Sequence, residues 1–244
     1  ISIVDDRREA LKGSEFVLLT FSPGAMDAFY NDLEIPIKYG IRQPVSMTVG
    51  PSGISASIRT APVAYEIVEE MEQVCPGAWV LNETNPMSVV TRALNLPAKE
   101  TKVLGLCHGL HALPGILGPA LGMKVPEGMD ILTYLYTWLG EQGFDYTFAG
   151  INHFIFLTKA SRKGVDVLPR IRKFCEEKSG SELISLPDEE LATEDFENHY
   201  QAAMAICKQV GYFPINHDRH TIEFLPSLCN FRNGFGMKYG VKKT

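Results

Sequence analysis

The chain is predicted to be an α/β protein: a doubly wound parallel sheet entered from its middle, followed by a second, α+β subdomain. Three observations predict this. Short apolar runs at 16–22, 78–82 and 102–107 alternate with helical stretches, which is how a parallel sheet with crossover helices reads. The runs are continuous in their apolarity, as expected of strands covered on both faces. Beyond residue 125 the strand-like segments, 144–157 and 165–168, are longer and more alternating, so a sheet of a different kind is expected there. The expected division is therefore 1–125 and 126–244.

The elements follow in order. The chain opens at Ile1 with residues 2–6 resembling the tail of a strand, so its first part is expected to be missing. Residues 16–22 form a strand that Pro23-Gly24 ends. The Pro- and Gly-rich segment 27–53 reads as a loop with a helical turn or two. From Ala61-Pro62, the spacing of Val63, Ile67, Met71 and Val74 between glutamates is that of an amphipathic helix. Strand 78–82 leads to Asn85-Pro86, a favoured helix cap followed by a favoured first helical residue. Strand 102–107 leads to a helix over 108–121, and 129–139 is a further helical stretch. Helices are also expected over 171–175 and 196–210, on either side of an acidic loop at 187–190.

Composition narrows the function classes. Of 244 residues, 45% are hydrophobic and 21% charged, enough for a substantial core. With 23 basic against 29 acidic residues the net charge is -6, which argues against general binding to nucleic acid or anionic membranes. No apolar run is long enough to span a bilayer. Five cysteines, odd in number and without paired zinc-ribbon spacing, point to reduced thiols in a cytoplasm.

Two segments carry chemistry. Val103-Leu104-Gly105-Leu106-Cys107-His108-Gly109 places a thiol at the carboxyl end of a strand, where open α/β sheets bind ligands. Gly150-Ile151-Asn152-His153-Phe154 presents an amide and an imidazole after another apolar run. Cys107 is either a small buried core residue or a metal ligand; with His153, each at a strand end, it could share one divalent ion. A third segment packs Asn216, His217, Asp218, Arg219, His220 and Glu223 into eight positions, a density of ionisable groups that suits a sugar site as well as a solvated loop.

These segments, with Asp6-Arg7-Arg8-Glu9-Ala10-Leu11-Lys12-Gly13, Ile35-Pro36-Ile37-Lys38-Tyr39-Gly40, Arg59-Thr60-Ala61-Pro62, Thr84-Asn85-Pro86-Met87 and Gly211-Tyr212-Phe213-Pro214, resemble in order those of glycoside hydrolase family 4. The resemblance implies a Rossmann-like fold of the lactate/malate-dehydrogenase type, NAD and Mn²⁺ as cofactors, and a homo-oligomer. It implies that Cys107 and His153 are the manganese ligands and that Asn85 and Asn152 contact sugar hydroxyls. The family's glycine-rich dinucleotide loop is missing from this sequence, and Phe21, Ser22, Asn82 and Thr84 are the expected remaining cofactor-side positions.

In such enzymes NAD withdraws hydride from C3 of the sugar, the ion stabilises the enediolate formed when a base takes the C2 proton, and the aglycone leaves by elimination. Water then adds and hydride returns. For the base, Tyr200, Asp195 and Asp218 are candidates, Tyr200 nominally first. Cys107-His108-Gly109 resembles the version in α-glucuronidase members, so an α-linked uronoside is the expected substrate, with Arg219 and then Arg59 as partners of its carboxylate. Other readings are an α-glucosidase or α-galacturonidase of the same family, a 2-hydroxy-acid NAD dehydrogenase, and a non-catalytic sugar-binding fragment.

Overall fold

The structure, a computed structural model, describes residues 2–45, 47–179 and 200–228. They fall into two compact units, one within residues 2–39 and 47–107, the other within residues 40–45, 108–179 and 200–228.

The first unit holds a parallel sheet of β1 (Phe16–Leu19), β2 (Trp79–Asn82) and β3 (Lys102–Gly105), paired in that order. Its helices are α1 (Arg7–Leu11), α2 (Ala25–Ile37), α3 (Gly50–Val74) and α4 (Met87–Asn95). The Asp6 side chain caps α1 by accepting the amides of Arg8 and Glu9. Partners in a parallel register share a face, so Val17, Val80 and Val103 point one way while Leu18, Leu81 and Leu104 point the other. The first set packs with Leu19 against Ala64, Ile67, Val68 and Met71 of α3 and Val90, Ala93 and Leu94 of α4. Both crossovers thus lie over one face, as right-handed connections running in a single direction require. The opposite face differs from expectation. Phe16, Leu18 and Leu104 are 65%, 60% and 46% exposed, so among the described residues one face alone is covered.

The expected loop over 27–53 is largely helical. Pro51 falls in the first turn of α3, where a helix tolerates proline, and Pro36 falls near the end of α2, where the Asp32 carbonyl it leaves without a helical donor accepts the Ser52 hydroxyl at 2.6 Å, so 38–49 is all that remains as a connection. Asn85-Pro86 is a cis peptide. Pro86 takes the cap position and the helix begins at Met87, whose amide is accepted by Asn85 Oδ1 at 3.3 Å. α4 lies so close on β3 that a Cβ at Gly105 would meet Met87 Sδ and Thr91 Oγ1.

In the second unit, a short turn (Gly109–Ala112) precedes the helix α5 (Pro114–Leu121), where proline occupies the first turn instead of interrupting. A π-helical stretch, Tyr134–Trp138, lies between α-helical turns Ile131–Thr133 and Leu139–Glu141. The expected strand 144–157 is in fact a hairpin of β4 (Phe144–Ile151) and β5 (Phe154–Arg162), which β6 (Val165–Asp166) and β7 (Phe213–Pro214) extend. Helices Leu168–Lys178 and Gln201–Val210 and the short turn Asp218–Thr221 also belong to the unit. Its core joins Leu113, Ile116 and Leu117 to Tyr134, Leu157, Ile171, Met204 and Phe213. That packing places α5 with the second unit, and by packing the two units meet in the chain at 107/108. The acidic loop at 187–190 lies outside the described residues.

Candidate functional site

In the first unit, a cavity of about 340 Å³ opens at the carboxyl ends of β1 and β2, where a parallel sheet leaves room for ligands. Phe21, Ser22, Thr84 and Asn85 line it together with Asp32 and Arg59. The two strand-end loops are tied to each other, because the Phe21 amide donates to Thr84 Oγ1 at 3.1 Å. Asn82 is fully buried beneath them. Its Oδ1 accepts the Thr84 amide at 3.0 Å and its Nδ2 donates to Thr91 Oγ1 at 3.1 Å, so it shapes the loop while lying outside the cavity lining. Arg59 presents its fork to the carboxylate of buried Asp32, with Nη1 at 2.9 Å from Oδ1 and Nη2 on Oδ2, and also reaches Ser55. Cys107, just past β3, is a free, exposed thiol, so the buried-core reading of it does not hold.

In the second unit the chemistry gathers at the β4–β5 turn. Ile151 pairs with Phe154, which makes Asn152 and His153 the two turn residues. His153 takes a φ of +65°, a left-handed conformation uncommon outside glycine that the two-residue hairpin turn uses. It is buried, and Asn216 Nδ2 approaches its carbonyl oxygen at 3.4 Å. The ring of His220 lies 4.3 Å from that of His153, inclined by 37°. Burial first, then the nearby His108, lowers the His153 pKa to about 4. Burial, followed by His153, Arg219, His217 and His108, lowers that of His220 to about 3. Both rings are thus neutral at neutral pH, the form that binds metals. Two buried polar atoms here have no hydrogen-bond partner, Asn152 Oδ1 and His220 Nδ1. Such a donor set fits a divalent ion and a polyhydroxylated ligand, although among the described residues no three His, Cys, Asp or Glu side chains gather closely enough to hold an ion by themselves.

The candidate bases have structural partners. The Tyr200 hydroxyl donates to the Ala112 carbonyl at 3.3 Å, and burial raises its pKa. Asp218 is buried and its two oxygens accept the amides of Ala202 and Ala203 at 2.7 and 2.9 Å, which caps the helix Gln201–Val210. Burial pushes its carboxyl well up, against the pull of those amides. Asp195 lies outside the described residues. Arg219 is exposed, with no hydrogen bond or ion pair among the described residues. Sequence reasoning assigned no role to Asp32 or to His220. The second stood in the polar cluster, but its neighbour His153 is far away along the chain.

Residues 1–123 match the family 4 glycosyl hydrolase model and residues 148–239 match the model of that family's C-terminal domain. An alpha-galacturonidase of Thermoanaerobacter italicus is 31% identical over 230 residues, 94% of this chain and 48% of that protein. The crystal structure of lplD from Bacillus subtilis has 32% identity and a TM-score of 0.74, covering 91% of this chain and 49% of that one. A 6-phospho-alpha-glucosidase from gut microorganisms, solved in complex with NAD and Mn²⁺, has 21% identity and a TM-score of 0.65 over 91% of this chain and 46% of that one, a likeness of fold. The chain spans about half the length of the curated relatives it matches.

Proposed function

Since the chain belongs to glycosyl hydrolase family 4, whose models match residues 1–123 and 148–239, we propose that it forms part of a glycosidase for α-linked uronosides that uses NAD and a divalent ion, Mn²⁺ first. The observation that carries this reading is the Asn152-His153 turn. There a buried, neutral imidazole is kept in a left-handed conformation next to a buried amide oxygen without a partner. The left-handed residue suits a two-residue hairpin turn, whereas the unpartnered amide oxygen makes no bond within the hairpin.

When bound, NAD supplies a reversible hydride acceptor and the ion a Lewis acid for sugar oxygens. The chain's own residues divide the remaining work. Cys107 and His153 would hold the ion, one soft sulfur and one nitrogen. Phe21, Ser22 and Thr84 would meet the cofactor at the strand ends, with Asn82 shaping their loop from beneath. Asn152 Oδ1 would accept a sugar hydroxyl, and Asn85 would do the same from the cavity wall. Arg219 is the first choice for the uronate carboxylate, because its guanidinium makes no hydrogen bond or ion pair among the described residues while that of Arg59 is engaged by Asp32. Tyr200 remains our assignment for the base that takes the C2 proton, ahead of Asp218 and Asp195. Its hydroxyl must leave the Ala112 carbonyl, and its raised pKa must fall under a nearby positive charge.

The sugar is read as glucuronic acid from Cys107-His108-Gly109. A second reading is galacturonic acid, favoured by the Thermoanaerobacter relative's name. The two differ at the C4 hydroxyl and share the carboxylate that Arg219 would bind. The test is release of free uronic acid by the full-length protein from aryl α-glucuronide and α-galacturonide, with an α-glucoside as the neutral control. Release that needs both NAD and Mn²⁺ is expected. Turnover without NAD would overturn the mechanism, and preference for the glucoside would overturn the substrate class.

A further inference from the structure

We infer that His220 is a second imidazole donor to the metal ion, beside His153, so that the second unit holds the ion through two nitrogens. This rests on the metal-dependent reading above and adds a residue to it. Three observations carry it.

The first is the juxtaposition. The two rings are 4.3 Å apart at 37°. Nitrogens bonded to one ion at roughly a right angle, at the zinc–histidine distance of about 2.0–2.1 Å or a little beyond it for the larger Mn²⁺, are about 3 Å from each other, which brings their rings side by side.

The second is the nitrogen itself. His220 is 8% exposed and its Nδ1 is buried without a hydrogen-bond partner. A ring retained for packing alone would do better as phenylalanine, which leaves no polar atom unsatisfied. The adjacent stack of Phe154 on Phe224, 4.8 Å apart and 7° from parallel, is packing of that kind.

The third is how firmly the ring is placed. The short helical turn Asp218–Thr221 that carries it is tied by the Asp218 carboxylate to the Ala202 and Ala203 amides, and the His220 amide donates to the His217 carbonyl at 3.0 Å. A donor fixed from several sides costs little to organise when the ion arrives.

The experiment measures Mn²⁺ binding to the full-length protein by calorimetry, with imidazole-nitrogen couplings counted by pulsed electron paramagnetic resonance. His220→Phe keeps the ring and removes its nitrogens. The expected result is an affinity about 10- to 100-fold weaker, as loss of a supporting group at a metal site brings. One nitrogen coupling should replace two, and NAD binding should be unchanged. Cys107→Ser should retain weak Mn²⁺ binding that the double variant lacks. Wild-type affinity in His220→Phe, or a single nitrogen coupling in the wild type, overturns the inference and leaves the proposed glycosidase standing. Absence of Mn²⁺ binding by the wild type overturns both. If His220→Phe does not fold, the wild-type nitrogen count decides by itself.

Discussion

His153 shows how one residue can be ill suited to its backbone and still suited to its site. A φ of +65° is reached more readily by asparagine or glycine, so the turn holds histidine at some cost in stability. His153→Asn should therefore leave the stability of the metal-free protein within about 1 kcal/mol of wild type, relief of the backbone offsetting lost ring contacts. Mn²⁺-dependent hydrolysis should disappear. Urea denaturation and the aryl uronoside assay measure the two effects, and a large loss of stability would show that the ring is there for packing. Cys107 and His153 could be picked out from sequence, because a thiol and an imidazole each ending an apolar run are unusual. Asp218 could not be interpreted in the same way. An aspartate in an ionisable cluster reads equally as a base or as a cap, and only its distances to two buried amides identify the cap.

Among elements, α3 shows how one carboxylate joins a helix to a strand. Glu72 accepts the amides of Lys99, Glu100 and Thr101 at 2.9, 3.1 and 2.9 Å, on the loop that enters β3. Burial pushes its carboxyl up, but these amides together outweigh it and bring the pKa down from 4.5 to about 2. Because the folded pKa is the lower one, this contribution is present above pH 4.5 and is lost as pH falls toward about 2. Glu72→Gln should lower stability at neutral pH by about 1 kcal/mol and flatten the loss in that acid window, read from urea midpoints across the range. Periodicity revealed β1, β2, β3 and the second half of α3. It missed α2, whose neighbourhood is dense in proline and glycine, since Pro36 fits there through a distant hydroxyl, that of Ser52, taking up the carbonyl it leaves without a helical donor. It also ran β4 and β5 together, because a two-residue turn of Asn152 and His153 lacks the glycine that usually signals a hairpin.

At the scale of the whole molecule, two large, separate cores stand out among the described residues. One lies between the parallel sheet and α3 and α4, the other among α5, the β4–β5 hairpin and the later helices. Met71 is fully buried in the first. Met71→Ala should cost about 2–5 kcal/mol of that unit's stability, the usual penalty for a core cavity. Calorimetry should show one transition displaced and a second nearly unmoved; displacement of both by equal amounts would mean that the units melt together. By itself the sequence determined the fold class, the alternation of strand and helix in the first unit, and the thiol and imidazole worth testing, because these rest on periodicity and residue chemistry within a few positions. Tertiary structure alone decided that Arg59 is engaged by Asp32, that Asp218 serves a helix, that β1 and β3 present an apolar face, and that His220 lies against His153. Those pairings join residues distant along the chain. They are set by how whole elements pack, which local spacing does not encode.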